Sequence, residues 1–234
     1  MIKKTPETQK NTHRKVTKYK FSEEKSSTVE ERPFMPLPTL HLDLTKRYSY
    51  ADYLTWFDDV RRELIDGFVH LMSGPIRIHQ RVSFKLSKAL DQLITKYKGK
   101  CEVYYAPFDV CLPNEDEKDD QKIFNVVQPD IIVVCDLLKL EYKRCIGAPD
   151  LVVEVTSPSS LKKDWNYKFN LYEKAGVKEY WIVNPKAKLV NVFVLQSDGC
   201  FDNGTEYEDT QKVPVFIFGG LEIDLKEVFD DEVI

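Results

Sequence analysis

The chain has 234 residues, of which 42% are hydrophobic and 31% charged, enough for one sizeable core with an extension and too apolar for an extended, solvating polymer. The formal net charge is −4 and unevenly spread: residues 1–32 carry nine Lys/Arg against five Glu, which leaves about −8 on the remainder. The body is therefore excluded as a generic polyanion binder, and any nucleic-acid contact has to come from a local patch or through bound metal.

Residues 1–32 are rich in Lys, Thr, Ser and Glu and lack apolar periodicity, so burial cannot offset the entropy of ordering them. The expected organisation is a flexible basic tail and a linker punctuated by Pro33, Pro36 and Pro38 over 1–47, then one domain over 48–234. The start of the chain has no apolar run of the signal-peptide kind, and no stretch approaches the roughly 20 apolar residues of a membrane helix. A soluble, cytoplasmic protein with no membrane contact is expected. Cys101, Cys111, Cys135, Cys145 and Cys200 show neither a CxxC pair nor zinc-ligand spacing, and their odd number suits reduced, mostly buried thiols.

In chain order, Ser49 caps a short helix reaching about Asp59, and Asp66-Gly67 between apolar flanks predicts a hairpin over Glu63–Met72. Ile78, Val82, Leu86, Leu90, Leu93 and Ile94 recur at helical intervals and predict one long amphipathic helix from Ile76 to about Lys98. Strands are expected over Cys101–Leu112, Val126–Cys135 and Asp150–Thr156, with 114–122 as an exposed acidic loop. A helix over about Leu161–Ala175, with Leu161, Trp165, Phe169 and Tyr172 on one stripe, stops at Gly176. Glu179–Val183 and Lys188–Leu195 complete the strands; Tyr172, Tyr180 and Trp181 fall in apolar patterns and are expected in the core. The plan is mixed α/β, with helices on a largely antiparallel sheet and one late parallel strand reached through a helix.

Asp130 and Glu154 sit in strands too apolar to welcome them, Asp130 heading Ile-Ile-Val-Val and Glu154 interrupting Leu-Val-Val-Glu-Val. A buried carboxylate needs a cation or a proton. Pairing the two strands antiparallel with Cys135 opposite Asp150 puts Asp130 opposite Val155, beside Glu154, so one divalent ion could meet both. Asp150 lies about 13 Å along the strand from Glu154 and fits less well. Hard oxygen donors suit Mg2+ or Mn2+, which polarise a phosphate and activate water while a lysine stabilises developing charge. The alternative is that Asp130 caps its strand and Glu154 pairs with a buried Lys or Arg.

The blocks Gln128-Pro-Asp-Ile-Ile-Val-Val, Pro149-Asp-Leu-Val-Val-Glu-Val-Thr-Ser-Pro-Ser159, Lys168 and Tyr172-Glu-Lys-Ala-Gly-Val-Lys-Glu-Tyr-Trp-Ile-Val-Asn-Pro185 resemble those of the Uma family of restriction-endonuclease-like proteins. Glu63-Leu-Ile-Asp-Gly67, His79 and Ala106-Pro-Phe-Asp-Val110 match its upstream blocks in order, so the resemblance runs from about Tyr48 to Asp230. It implies a PD-(D/E)XK nuclease core, a central mixed sheet flanked by helices, and metal at Asp130 and Glu154. The superfamily's simple pattern places a lysine two residues after the second acid, where this chain has Thr156; the family resemblance moves that lysine to Lys168. The alternative for Lys168 is a surface pair with Asp164. The resemblance also implies that Glu63, as a further carboxylate or water holder, and His79, as a phosphate donor or proton carrier, approach the site, with Asp109 in a turn or behind it.

The expected function is a Mg2+- or Mn2+-dependent endonuclease acting on DNA. A catalytically silent nuclease fold that binds nucleic acid or a protein is the alternative from another class, and a metal-dependent hydrolase of small phosphate esters is a third. Dimerisation, common among nuclease folds, would let two sites address two strands.

Overall fold

A computed structural model describes residues 41–114, 118–157 and 163–229 of the unit over 37–234. The expected tail over 1–32, the linker prolines, part of the acidic loop and Leu161 lie outside the described residues.

Local chemistry sets the first elements as the sequence suggests. Ser49 and Asp52 form a reciprocal capping box on α1 (Tyr50–Tyr53), which ends sooner than expected, well before Asp59. β1 (Arg62–Ile65) turns into β2 (Phe68–Leu71) through Asp66 and Gly67, whose φ angles of 51° and 81° give the left-handed turn that hairpin twist requires. α2 (Arg77–Tyr97) buries Val82, Leu86, Leu90, Leu93 and Ile94, the stripe read from periodicity.

Two expected strands are each divided. Cys101–Leu112 becomes β3 (Glu102–Tyr105) and β4 (Asp109–Cys111), broken where Pro107 lacks an amide donor. Val126–Cys135 becomes β5 (Val126–Val127) and β6 (Ile131–Val134), broken at Gln128-Pro129-Asp130. The remaining strands are β7 (Arg144–Ile146), β8 (Leu151–Val155), β9 (Glu179–Asn184), β10 (Leu189–Val194), β11 (Thr205–Glu208), β12 (Lys212–Val215) and β13 (Leu221–Asp224). The helix before β9 is a π-helical segment over Lys163–Lys168 that continues as α3 (Phe169–Ala175); α4 (Leu225–Val228) closes the described chain.

The mixed α/β plan holds, but the sheet is not single. One five-stranded sheet runs β2-β1-β5-β4-β7, a six-stranded sheet runs β11-β10-β9-β8-β6-β3, and β12 with β13 forms a hairpin. β8 and β9 are parallel, as expected for strands joined through a helix, whereas β6 and β8 are antiparallel. The larger sheet is buried on both faces. Ile131, Val133 and Val153 pack with Leu86 and Leu90 of α2. Ile132, Val134 and Val152 pack with Tyr172 of α3 and with Ile65 and Val127 of the smaller sheet. Burial of both faces explains the near-continuous apolar runs that hid the strand breaks.

The thiol expectation needs correction at one pair. Cys101 and Cys135 flank β3 and β6 directly opposite each other and are joined as a disulfide, across 34 residues of sequence that gave no spacing signal. Cys111 and Cys145 are buried free thiols, and Cys200 is free and exposed. Among the described residues no helix is long and apolar enough to cross a membrane.

Candidate active site

Asp130 ends the three-residue step by which the chain leaves β5 in one sheet and enters β6 in the other. The β6–β8 register pairs Ile131 with Val153, and one further step sets Asp130 across from Glu154. This corrects the expected register by one residue. The Asp150 amide donates to the Val133 carbonyl at 2.8 Å in this register, and its carboxylate accepts the Cys135 amide at 2.7 Å. The Asp150 side chain also takes the Lys178 ammonium, at the far end of β8 from Glu154, so it stands outside the site.

The Asp130 Oδ2 accepts the Val155 amide at 2.7 Å and meets His79 Nε2 at 3.1 Å. His79 reaches it from the first turn of α2, and its buried Nδ1 has no hydrogen-bond partner among the described residues. Glu154 points to the α3 face. Its Oε1 accepts both the Lys168 ammonium at 2.8 Å and the Tyr172 hydroxyl at 2.7 Å. Among the described residues, Asp130 Oδ1 and Glu154 Oε2 take no hydrogen bond.

Lys168 is 1% exposed, so the surface pair with Asp164 is excluded. The π-helical segment turns both Lys168 and Asp164 inward while leaving Trp165, expected on the buried stripe, partly exposed. The same ammonium lies 2.7 Å from Glu63 Oε1. The other Glu63 oxygen takes Lys163 at 2.6 Å, and the Gln128 amide donates to Oε1. Glu63 is therefore an anchor for two lysines, standing behind Lys168 and not beside Asp130. Three of the roughly four acceptor sites of this carboxylate are taken, by Lys168, Gln128 and Lys163.

Charge follows this geometry. Burial raises the Glu154 carboxyl, and although Lys168 opposes the rise, Asp164, Asp130 and Glu63 add to it, pushing the group up to about 8. Glu63 meets the same burial penalty, but Lys168 and Lys163 overcome it and hold the group at about 2. Burial would depress the Lys168 ammonium, yet Glu154 and Glu63 raise it well above its ordinary value, so it stays charged. Burial and the Glu154 carboxylate likewise keep the Tyr172 phenol protonated as a donor.

Three contributors escaped sequence reasoning. Gln128 accepts from Arg61 at 2.9 Å and donates to Asp109 at 2.9 Å, so Asp109 supports the step that carries Asp130. Lys163 fixes Glu63, and Tyr172, taken only as core, also orients Glu154; its position four residues after Lys168 on one helix face was the available signal. Asp130, Glu154 and His79 line one cavity of about 780 Å3. Among the described residues no group of three or more His, Cys, Asp or Glu converges as a ready metal cage. The donor set nevertheless fits a hard divalent ion that takes one or two carboxylates and keeps waters or phosphate oxygens elsewhere.

The fold and this arrangement define a nuclease-like α/β protein. Its fold is similar to a solved structure from Anabaena variabilis, described as a "putative nuclease belonging to DUF820", with a TM-score of 0.61, 18% identity, and coverage of 77% of this chain and 97% of that one. Residues 50–226 match the Uma2 family model, described as "putative restriction endonuclease", and the chain belongs to this family. The protein slr1290 of Synechocystis is 27% identical over 174 residues, covering 73% of this chain and 82% of its own length.

Proposed function

We propose that the chain is a metal-dependent endonuclease that hydrolyses DNA phosphodiester bonds, with Asp130 and Glu154 holding Mg2+ or Mn2+. The observation that carries this reading is the placement of these two carboxylates across paired strands at one cavity, with Lys168 fixed on the second. Membership of a nuclease-like family supports a nucleic-acid substrate.

When bound, the ion would polarise the scissile phosphate and lower the pKa of an attacking water. The protein groups act around it. Asp130, held by the Val155 amide, offers its second oxygen to the cavity. Tyr172 and Lys168 fix Glu154 through Oε1, on the wall of the cavity that Glu154 helps to line. Lys168, kept protonated, supplies positive charge near the phosphate and is too tightly paired to act as a base. His79 carries or accepts a proton at the Asp130 side of the cavity. Cutting both strands needs two such sites, which a homodimer would provide.

One observation favours a binder that does not cut: Lys168 already compensates Glu154 and Glu63, so the site holds together without metal. Plasmid DNA incubated with Mg2+ or Mn2+ decides between them. Cleavage lost with EDTA and in Glu154→Ala supports the endonuclease. DNA binding without cutting under every condition supports the binder, and turnover of a small phosphate ester without action on DNA supports a small-substrate hydrolase.

Asp130→Asn is expected to lower cleavage by about 100-fold or more and to weaken Mn2+ binding measured by calorimetry. Full activity in this variant would remove the metal assignment. His79→Ala should cost about 100-fold in cleavage rate, because the imidazole meets Asp130 at 3.1 Å on the wall of the cavity.

A further inference from the structure

We propose that the groove leading from Asp130 along α2 takes an unpaired DNA strand, with bases stacked on Phe84 and Tyr105. The inference rests on the nuclease reading and specifies the form of its substrate. The cavity that contains Asp130 and Glu154 is also lined by Ile76, Phe84 and Tyr105. Phe84 is 62% exposed and Tyr105 71% exposed. A single exposed apolar side chain needs no explanation. Here two rings from different elements, α2 and the end of β3, border the same cavity as the carboxylates. Among the described residues neither ring stacks on another aromatic side chain.

An aromatic face exposed in a groove binds a base through its π-face, and stacking within a duplex covers those faces. An unpaired strand offers them. Charge placement agrees with this choice. Arg77 and Lys88 lie three turns apart along α2, with Lys88 one turn beyond Phe84. Lys88 and Arg61 themselves line the cavity. Phosphates can follow this basic flank while bases turn toward the rings, although the body of the chain is acidic overall. Between them Ser83 and Ser87 donate their hydroxyls back to helix carbonyls, leaving small side chains on the groove wall.

The test uses the full chain carrying Asp130→Asn, to prevent cutting, in magnesium buffer. Fluorescence anisotropy compares a labelled mixed-sequence single strand with the same strand annealed to its complement. The single strand is expected to bind about tenfold more tightly or better, and Phe84→Ala and Tyr105→Ala should each weaken it by about 5- to 100-fold with unchanged melting. Phe84→Trp should retain binding, which a merely greasy contact would not distinguish from Phe84→Leu. Equal or tighter duplex binding, or no effect of either alanine, overturns the inference even if the wild type cuts plasmid. Single-strand binding that depends on both rings, without metal-dependent cleavage in the wild type, supports the groove and overturns the hydrolytic reading. Self-association that Phe84→Ala abolishes, with no effect on DNA binding, also overturns it, because a second copy would then be what covers this face.

Discussion

Lys168→Met is expected to destabilise the fold by about 3–5 kcal/mol and to abolish cleavage. The side chain is fully enclosed, and its ammonium is the shared partner of Glu63 at 2.7 Å and Glu154 at 2.8 Å. Methionine fills similar space, so packing is largely kept and the loss is electrostatic. Two buried carboxylates would then share one remaining lysine, Lys163, which reaches only Glu63. Glu154, already held up at about 8 with the lysine in place, would keep its proton to still higher pH, which limits the damage but withholds the anionic ligand of the proposed reaction. Urea denaturation reads the stability, and the double variant Lys168→Met/Glu154→Gln should recover part of it, because the pair is coupled. A loss below about 1 kcal/mol in the single variant would mean that the lysine is not the centre of this network.

Glu154→Gln should do the opposite to stability while having the same effect on activity. The folded protein raises this carboxyl from 4.5 to about 8, so between those values it binds a proton that the unfolded chain has released. The contribution of Glu154 to stability is therefore full below the unfolded value, falls as pH rises through this window, and is gone above the folded value. At roughly 1.4 kcal/mol per pKa unit, the metal-free wild type should lose on the order of 2–4 kcal/mol relative to Glu154→Gln between pH 5 and pH 9. The amide oxygen can still accept from Lys168 and Tyr172, so the variant keeps the geometry. Glu63 runs the other way. Held at about 2, it stabilises above its unfolded value of 4.5 and ceases to do so as pH falls through 2. Unfolding free energies measured against pH without metal test both signs, and parallel curves for wild type and Glu154→Gln would overturn the assignment. Metal should displace the Glu154 proton, so Mn2+ affinity should climb with pH over the same range.

Much of the scaffold was legible because it depends on local rules. The stripe from Ile78 to Ile94 and the Asp66-Gly67 turn each specify an element without reference to the rest of the chain. The division into two sheets was not legible, because Val126, Val127 and Ile131 to Val134 are all buried whichever sheet they join. Register was missed by one residue for a related reason: the Asp150 amide and carboxylate bond to Val133 and Cys135, and no hydrophobic pattern reports that. Within the site, Asp130 and Glu154 stood out as acids in apolar strands. Lys168 came from resemblance alone, since a π-helical segment sets its direction and regular helical spacing had suggested Asp164 as its neighbour. Gln128 and Lys163 gave no signal of their own, because their meaning lies in partners 65 and 100 residues distant.

That last separation bears on how the protein is made. Glu63 belongs to an early hairpin, yet both cations that make its burial tolerable are translated about a hundred residues later. A nascent chain halted before Lys163 would carry the Glu63 carboxylate without the two lysines that pair with it, so its first hairpin has reason to stay open on the ribosome. Completion of the segment from Lys163 to Lys168 then supplies both counter-ions of the hairpin at once.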